Sequence, residues 1–169
     1  IYRLSIDRKS VGNNPDKFIQ CISDGGNIYI GPLGHPVRIV DGDYVPERFY
    51  ALAKGLEDLP ERGLRCQKCI GHRLEETFRI ALQQPERPDY VCTTLTISPH
   101  KDAVFINTKG TELAQQYGIA WLPTDFKKKG GYQRSIVLSR EYDLYRQNFC
   151  GCVYSRLEAE RREKEMASS

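Results

Sequence analysis

The sequence of 169 residues contains no apolar run of the roughly 18 to 20 residues that a membrane-spanning helix needs. Its first residues also lack the charged-then-apolar pattern of a secretory signal, so we expect a cytoplasmic protein. No P-loop, GxGxxG motif or Ser–His–Asp order is visible, which leaves nucleotide-dependent and hydrolase functions without direct support. Hydrophobic residues make up 40% of the chain, which excludes a disordered protein and predicts one globular domain.

The chain has 25 Lys and Arg residues and 22 Asp and Glu residues, which gives a net charge of +3. This net charge is too small to indicate a nucleic-acid partner by itself. The cationic residues are nevertheless unevenly distributed. Lys127, Lys128 and Lys129 form a run, and Arg134 follows it. This run is either a solvated loop and helix face or a basic surface for a partner.

Cysteine usage is more informative than charge. The chain is too large to require a disulfide framework, although its six cysteines are even in number. Four of them form two close pairs, Cys66-Gln67-Lys68-Cys69 and Cys150-Gly151-Cys152. In a cytosolic protein such pairs indicate metal or redox chemistry.

The first pair, Cys66 and Cys69, is predicted to lie where a loop enters a helix. A gap of two residues lets both sulfurs bind one metal or cluster, and a helix N-terminus favours thiolates. The spacing does not distinguish zinc, an iron–sulfur cluster or a dithiol. Two ordinary half-buried thiols are the remaining alternative.

The second pair, Cys150 and Cys152, would close a very small ring if its sulfurs bonded. Such a disulfide is expected to be strained and therefore easily reduced, which suits turnover better than structural cross-linking. Two free thiols in a loop are the alternative. Both pairs together could also form a tetrahedral Cys₄ zinc site, although zinc ribbons usually carry CxxC twice. Cys92 is most simply a core residue.

The hydrophobic patterns predict alternating strands and helices from residue 36 onward. We predict strands at 37–40, 90–97 and 119–122, and helices at 46–54, 69–84, 102–107, 111–117, 132–145 and 156–166. This alternation is typical of an α/β fold with a parallel sheet. The loops after the last two strands should then meet at one edge, placing His100 and Lys101 near Asp125 and Lys127.

From about residue 36 to 157 the chain resembles the QueH-type epoxyqueuosine reductases. The two cysteine pairs and the segment Ser98-Pro99-His100-Lys101 belong to the resemblance. The matching stretches are residues 43–48, 54–57, 65–69, 73–77, 93–101, 125–135 and 144–152. They occur in the family's order and cover over two-thirds of the chain, so together they are highly specific.

The resemblance implies a Rossmann-like layered parallel sheet flanked by helices, and a reductase with a [4Fe–4S] cluster, with an additional iron as a further option. Cys66 and Cys69 would be two cluster ligands, and Cys150 and Cys152 would cycle between dithiol and disulfide. The implied substrate is a tRNA with a GUN anticodon carrying epoxyqueuosine, reduced to queuosine at the expense of an electron donor.

Three further groups receive expected roles beside this site. Asp125 and His100 are candidate catalytic residues, because removal of an epoxide oxygen needs a Lewis acid or a proton source. The lysine run, Lys127, Lys128 and Lys129, together with Arg134, is expected to contact tRNA phosphates.

The opening of the chain departs from the family. The family begins with a strand and an adjacent Cys-Cys pair that supplies two more cluster ligands, whereas this sequence has no adjacent cysteines. We therefore expect residues 1–35 to be an unassigned segment, 36–157 the reductase domain and 158–169 a charged tail, with an incomplete N-terminal part. The alternatives are a non-catalytic Cys₄ zinc module that binds nucleic acid and an inactive truncated family member.

Overall fold

The computed structural model describes residue 40, residues 45–168 and four strand residues nearer the N-terminus. Those four form an antiparallel pair, β1 (Ser23–Asp24) and β2 (Asn27–Ile28). The predicted strand 37–40 lies outside the described residues except for Val40, which is not in a strand.

The first two helices are α1 (Pro46–Ala53) and α2 (Leu64–Leu82). Helix α1 confirms the prediction for 46–54, with proline at its start. Helix α2 begins five residues before the predicted 69–84, directly after Gly63, whose backbone is extended. The sequence pattern missed this first turn because the apolar stripe of α2 begins only at Ile70.

Two short parallel strands, β3 (Tyr90–Val91) and β4 (Ala120–Trp121), lie side by side, with Tyr90 opposite Ala120. Helix α3 (Ala103–Tyr117) connects them. Strand β3 ends well before the predicted residue 97, because the chain turns into a short 3₁₀ helix, Leu95–Ile97.

Helix α3 is continuous, which corrects the prediction of two separate helices at 102–107 and 111–117. The Asp102 carboxylate caps it by accepting hydrogen bonds from two backbone N–H groups. Gly118 ends it with a φ of 66°. The predicted gap between these helices contains Gly110. This glycine lies inside α3, where it is buried against the Trp121 indole.

The hydrophobic core lies between α2, α3 and the parallel strand pair. Phe78 is fully buried, with its ring 5.8 Å from that of Tyr117 and 6.3 Å from that of Trp121. The buried core residues are Ile70, Leu74, Phe78, Ala81, Val91, Ile106, Leu113, Ile119 and Trp121. This core fixes the loops that follow β3 and β4.

The C-terminal part contains a short 3₁₀ helix, Lys128–Gly130, then α4 (Gly131–Glu141) and α5 (Val153–Ala167). Helix α4 ends at Glu141, four residues before the predicted boundary at 145. Asp143, just beyond this end, has a φ of 48°, which a right-handed helix does not allow. Helix α5 starts three residues before the predicted 156. No helix in the described part of the chain is long and apolar enough to cross a membrane.

The described residues thus form a mixed helical structure with a small parallel sheet, which is compatible with the predicted α/β class. The Rossmann-like layered sheet and the division at residues 35 and 157 stay predictions.

Candidate active site

The loops after β3 and β4 meet, as predicted. The hydroxyl groups of the fully buried Thr96 and of Thr124 are 3.0 Å apart, and the Phe126 N–H donates to the Thr96 hydroxyl. The Lys127 ammonium reaches the Lys101 carbonyl at 3.4 Å. One edge of the parallel pair therefore carries both segments that the sequence placed together.

Asn107 on α3 anchors the loop that follows β4. Its side-chain oxygen accepts hydrogen bonds from the Trp121 indole N–H and the Thr124 N–H, each at 3.1 Å. Its amide nitrogen donates to the Thr124 carbonyl at 2.9 Å. The loop that leads to Asp125 is thus anchored to a rigid helix.

Asp125 faces two lysines, with its carboxylate 3.0 Å from the Lys127 ammonium and 3.6 Å from that of Lys128. The hydrogen bond from Lys127 holds the pKa of Asp125 below its usual range, despite an opposing effect of desolvation. A carboxyl group held ionised in this way is better suited to positioning Lys127 than to donating a proton.

The other polar residues predicted for this site are more exposed to solvent than Asp125 and Lys127. His100 is exposed, and among the described contacts only its backbone N–H forms a hydrogen bond, to the Ser98 hydroxyl. Lys129 and Arg134 are exposed as well, and the Lys128 side chain is 76% exposed. The lysine run is therefore divided by exposure, because the Lys127 side chain is only 28% exposed and contacts both Asp125 and the Lys101 carbonyl, whereas the other cations face solvent and Lys128 has only the longer contact with Asp125.

The CxxC pair lies within α2, with Cys66 in its first turn and Cys69 in its second. Cys66 thus lies where the loop enters the helix, as predicted, whereas Cys69 lies one turn further along, and the two thiols occupy neighbouring positions of one helix. Burial raises the pKa of Cys69, although a hydrogen bond with Arg73 opposes that effect. Burial therefore opposes a thiolate at Cys69.

The CxC pair lies beside this helix. Charge on Cys150 or Cys152 adds to the increase in the pKa of Cys69, so the three sulfurs share one electrostatic environment. Cys152 precedes α5, and its sulfur accepts a hydrogen bond from the Ser155 N–H at 3.4 Å. The Ser155 hydroxyl accepts from the Cys150 N–H at 2.7 Å. All five described cysteines are free thiols, and the predicted disulfide stays a prediction.

A contact between Arg65 and Tyr154 joins α2, which carries the CxxC pair, to α5, which follows the CxC pair. The Arg65 guanidinium lies 4.8 Å from the centre of the Tyr154 ring, and it donates a hydrogen bond to the Glu57 carbonyl. Arg65 immediately precedes the first cysteine of α2, and Tyr154 lies in the first turn of α5. This cation–π contact fixes the start of α5 against α2.

Sequence analysis placed Lys101 at this site but missed its burial and its pairing with Glu61. The Lys101 side chain is only 7% exposed, and its ammonium lies 2.6 Å from the Glu61 carboxylate. Burial alone would lower the pKa of Lys101, but hydrogen bonds to Cys150 and Glu61 raise it to about 12. No sequence pattern marks a lysine as buried, and Glu61 lies forty residues away from it.

Cys66 and Cys69 are the thiols whose chemistry suits metal binding. Cys66 and Cys69, one turn apart on a helix, fit two ligands of a cluster. Among the described residues, however, no group of three or more His, Cys, Asp or Glu side chains could hold a metal ion. The Cys₄ zinc alternative, which needs both cysteine pairs around one ion, therefore does not fit this arrangement.

Comparison with known proteins identifies the family of most of the chain. The family model described as epoxyqueuosine reductase QueH matches residues 33–158. The chain belongs to the QueH family. Curated QueH proteins include those of Streptococcus pyogenes serotype M1, with 43% identity over 72% of this chain, and Thermotoga maritima, with 39% identity over 73%. These matches cover 47% and 64% of the two relatives, so the chain spans about half to two-thirds of their length.

Proposed function

We propose that this protein acts in the reduction of epoxyqueuosine to queuosine in tRNA. The observation that carries the proposal is the contact of Arg65 with Tyr154, which brings the first turn of the CxxC helix to the first turn of α5, directly after the CxC pair. Support comes from relatives that are named epoxyqueuosine reductases and that share 33 to 43% identity with this chain.

The proposed reaction is a two-electron deoxygenation. The epoxide loses its oxygen as water, both carbon–oxygen bonds break, and a carbon–carbon double bond forms. Two electrons and two protons are required, and oxidation of the Cys150 and Cys152 dithiol to a disulfide would supply all four. An external electron donor would then reduce the disulfide for the next cycle.

We propose that Cys66 and Cys69 hold an iron–sulfur cluster together with ligands from outside the described residues. When bound, such a cluster transfers electrons, and an additional iron could act as a Lewis acid toward the oxygen. The contribution of α2 is to present both thiols on one face. We further infer that β3 and β4 belong to a Rossmann-like sheet in a cytoplasmic protein.

The proposed substrate is a tRNA with a GUN anticodon carrying epoxyqueuosine. Its phosphates would bind the cations that face solvent beside the site, namely Lys128, Lys129 and Arg134. Lys127 would act indirectly, because its ammonium is occupied by Asp125 and the Lys101 carbonyl.

The proposal is tested by incubating the anaerobically reconstituted chain with epoxyqueuosine-containing tRNA and a reductant. Two proteins are compared, the chain alone and a joined protein in which the family's N-terminal Cys-Cys segment precedes the chain. The nucleosides of the tRNA are quantified by mass spectrometry. We expect queuosine from the joined protein, no queuosine after Cys150→Ser, and retained activity after Cys92→Ser. Activity that survives Cys150→Ser would contradict the proposed role of the CxC pair.

A further inference from the structure

Tyr145 is a large aromatic side chain that faces solvent close to the CxC pair. It is 75% exposed, and among the described residues its side chain has no hydrogen bond and no ring contact. Exposure alone is ordinary, because single apolar side chains occur on every protein surface. What sets Tyr145 apart is the way in which its neighbours are held.

Both neighbours of Tyr145 are attached to helix α4. The Leu144 N–H donates to the Ser139 carbonyl at 2.7 Å, and the Arg146 guanidinium donates to the Ser139 hydroxyl at 3.0 Å. The same guanidinium lies 5.8 Å from the centre of the Tyr132 ring. The backbone of Tyr145 is therefore fixed on the end of α4 while its ring faces solvent.

The chain between Tyr145 and the CxC pair is attached to helix α5. The Asn148 amide donates to the Glu163 carboxylate at 2.6 Å, and the Cys150 N–H donates to the Ser155 hydroxyl at 2.7 Å. Tyr145 lies five residues before Cys150, so their Cα atoms are at most about 17 Å apart. A nucleic-acid strand covers this span with a few nucleotides, since stacked nucleotides advance by about 3.4 Å each.

The chemistry of this surface fits an unpaired base of RNA. Bases in single-stranded loops stack on exposed aromatic side chains. A tyrosine on a fixed backbone loses little conformational entropy on binding, because it has only two side-chain torsions. Residues 131–149 contain two acidic residues and three arginines, so this segment has no excess of negative charge to repel phosphates.

We propose that Tyr145 stacks on an unpaired base that flanks the reacting nucleotide of an RNA loop, and that this contact orients the loop toward Cys150. The identity of the RNA as a tRNA anticodon loop rests on the proposed function. The stacking itself requires no iron–sulfur cluster, no reductant and no epoxyqueuosine, so it can be measured apart from the reaction.

The test measures binding of the full chain to an unmodified RNA stem–loop with a GUN anticodon, by fluorescence anisotropy at several salt concentrations. Tyr145→Ala should weaken binding about tenfold, because base–aromatic stacking is lost. It should leave the slope of log affinity against log salt unchanged, because no phosphate contact is removed. Tyr145→Phe keeps the ring and should retain the wild-type affinity.

Tyr90→Ala is the matched control. Tyr90 is 47% exposed and starts β3, whereas the loops of the site follow the ends of β3 and β4. Its replacement should leave RNA affinity unchanged. A weakening as large as that of Tyr145→Ala would show that loss of any exposed tyrosine has this effect, and would contradict the assignment of Tyr145.

A second measurement locates the stacked base. The fluorescent base 2-aminopurine replaces each loop base in turn, and its emission is recorded at saturating protein. At one loop position we expect lower emission with the wild type and Tyr145→Phe than with Tyr145→Ala, because stacking on the ring quenches the base. Equal emission at every position would refute the contact.

Equal affinities of the wild type and Tyr145→Ala for the stem–loop would overturn the proposal. An equal loss of affinity for a blunt RNA duplex, or a flatter salt slope in Tyr145→Ala, would do so as well, because either would indicate a backbone contact. Failure of the wild type to bind the stem–loop would refute both the stacking and the tRNA substrate. Stacking without queuosine formation would refute only the reductase function.

Discussion

Gly110 occupies the point where α3 packs on the Trp121 indole. A Cβ atom at this position would lie 2.2 Å from the nearest atom of that ring, which is far inside contact distance. We predict that Gly110→Ala lowers the free energy of unfolding by about 1–3 kcal/mol, because the indole or the helix must shift. Urea denaturation followed by Trp121 fluorescence measures this loss.

Gly71 in α2 provides the matched control, because it is also a glycine inside a helix. A Cβ there would meet only the flexible end of Lys109, at 3.7 Å. Gly71→Ala should therefore raise the free energy of unfolding by about 0.5–1 kcal/mol through better helix propensity. If both substitutions had the same effect, the close packing of Gly110 on Trp121 would be disproved.

At the same scale, cysteine spacing indicated the candidate thiols, whereas the buried pair of Lys101 and Glu61 could not be predicted. Motif spacing is local, so Cys66, Cys69, Cys150 and Cys152 could be selected from the sequence. The pairing of Lys101 with Glu61 depends on how a loop packs against another loop forty residues away. Lysine is nearly always exposed, so nothing in the sequence favoured a buried one.

At the scale of secondary-structure elements, the order of helices and parallel strands was predictable, but several boundaries were not. The strand expected at 90–97 ends at Val91 because the Thr96 hydroxyl binds two groups of the neighbouring loop, which requires a turn. The β-branched residues of this segment favour a strand by local propensity. The hydrogen bonds of the Thr96 hydroxyl to the neighbouring loop favour the turn instead. Tertiary hydrogen bonds therefore outweighed local propensity.

The start of α5 depends on one buried serine. Ser155 is 4% exposed, and its hydroxyl accepts the Cys150 N–H. We predict that Ser155→Ala lowers the free energy of unfolding by about 1–2 kcal/mol, because that N–H loses its partner. Thermal denaturation measures the change. Ser168→Ala at the exposed end of the same helix is the control, and an equally large effect there would contradict the assignment.

At the scale of the whole molecule, the cations beside the site divide into one inner residue, Lys127, and an outer group that faces solvent, namely Lys128, Lys129 and Arg134. We predict that replacing Lys128, Lys129 and Arg134 with alanine weakens tRNA binding and flattens its salt dependence. Each lost phosphate contact should reduce the slope of log affinity against log salt by about 0.7 to 0.9. Filter binding at several salt concentrations measures the slope.

The control for this surface is Lys127→Met. The Lys127 ammonium already contacts Asp125 at 3.0 Å, so its removal should leave the salt slope nearly unchanged. A slope that falls as much for Lys127→Met as for one outer cation would show that Lys127 contacts phosphate directly. The division of the lysine run into two groups would then be wrong.

The last prediction concerns the number of cluster ligands in the chain. A [4Fe–4S] cluster ordinarily takes four thiolates. Cys66 and Cys69 would provide two under the proposed function, and Cys150 and Cys152 would be withdrawn whenever they form their proposed disulfide. We therefore predict that this chain retains far less than one cluster after anaerobic reconstitution, measured as iron and sulfide per chain and by visible absorption.

Joining the family's N-terminal Cys-Cys segment to the chain should raise the iron content to about four per chain, because that segment supplies the two missing thiolates. In the joined protein, Cys66→Ser and Cys69→Ser should each abolish the absorption, whereas Cys92→Ser should not, since burial in the strand region raises the pKa of the Cys92 thiol. A stable four-iron cluster on the chain as given would contradict the prediction. It would assign the remaining ligands to other cysteines of the chain, and Cys21, the sixth cysteine of the sequence, would be the first to replace by serine.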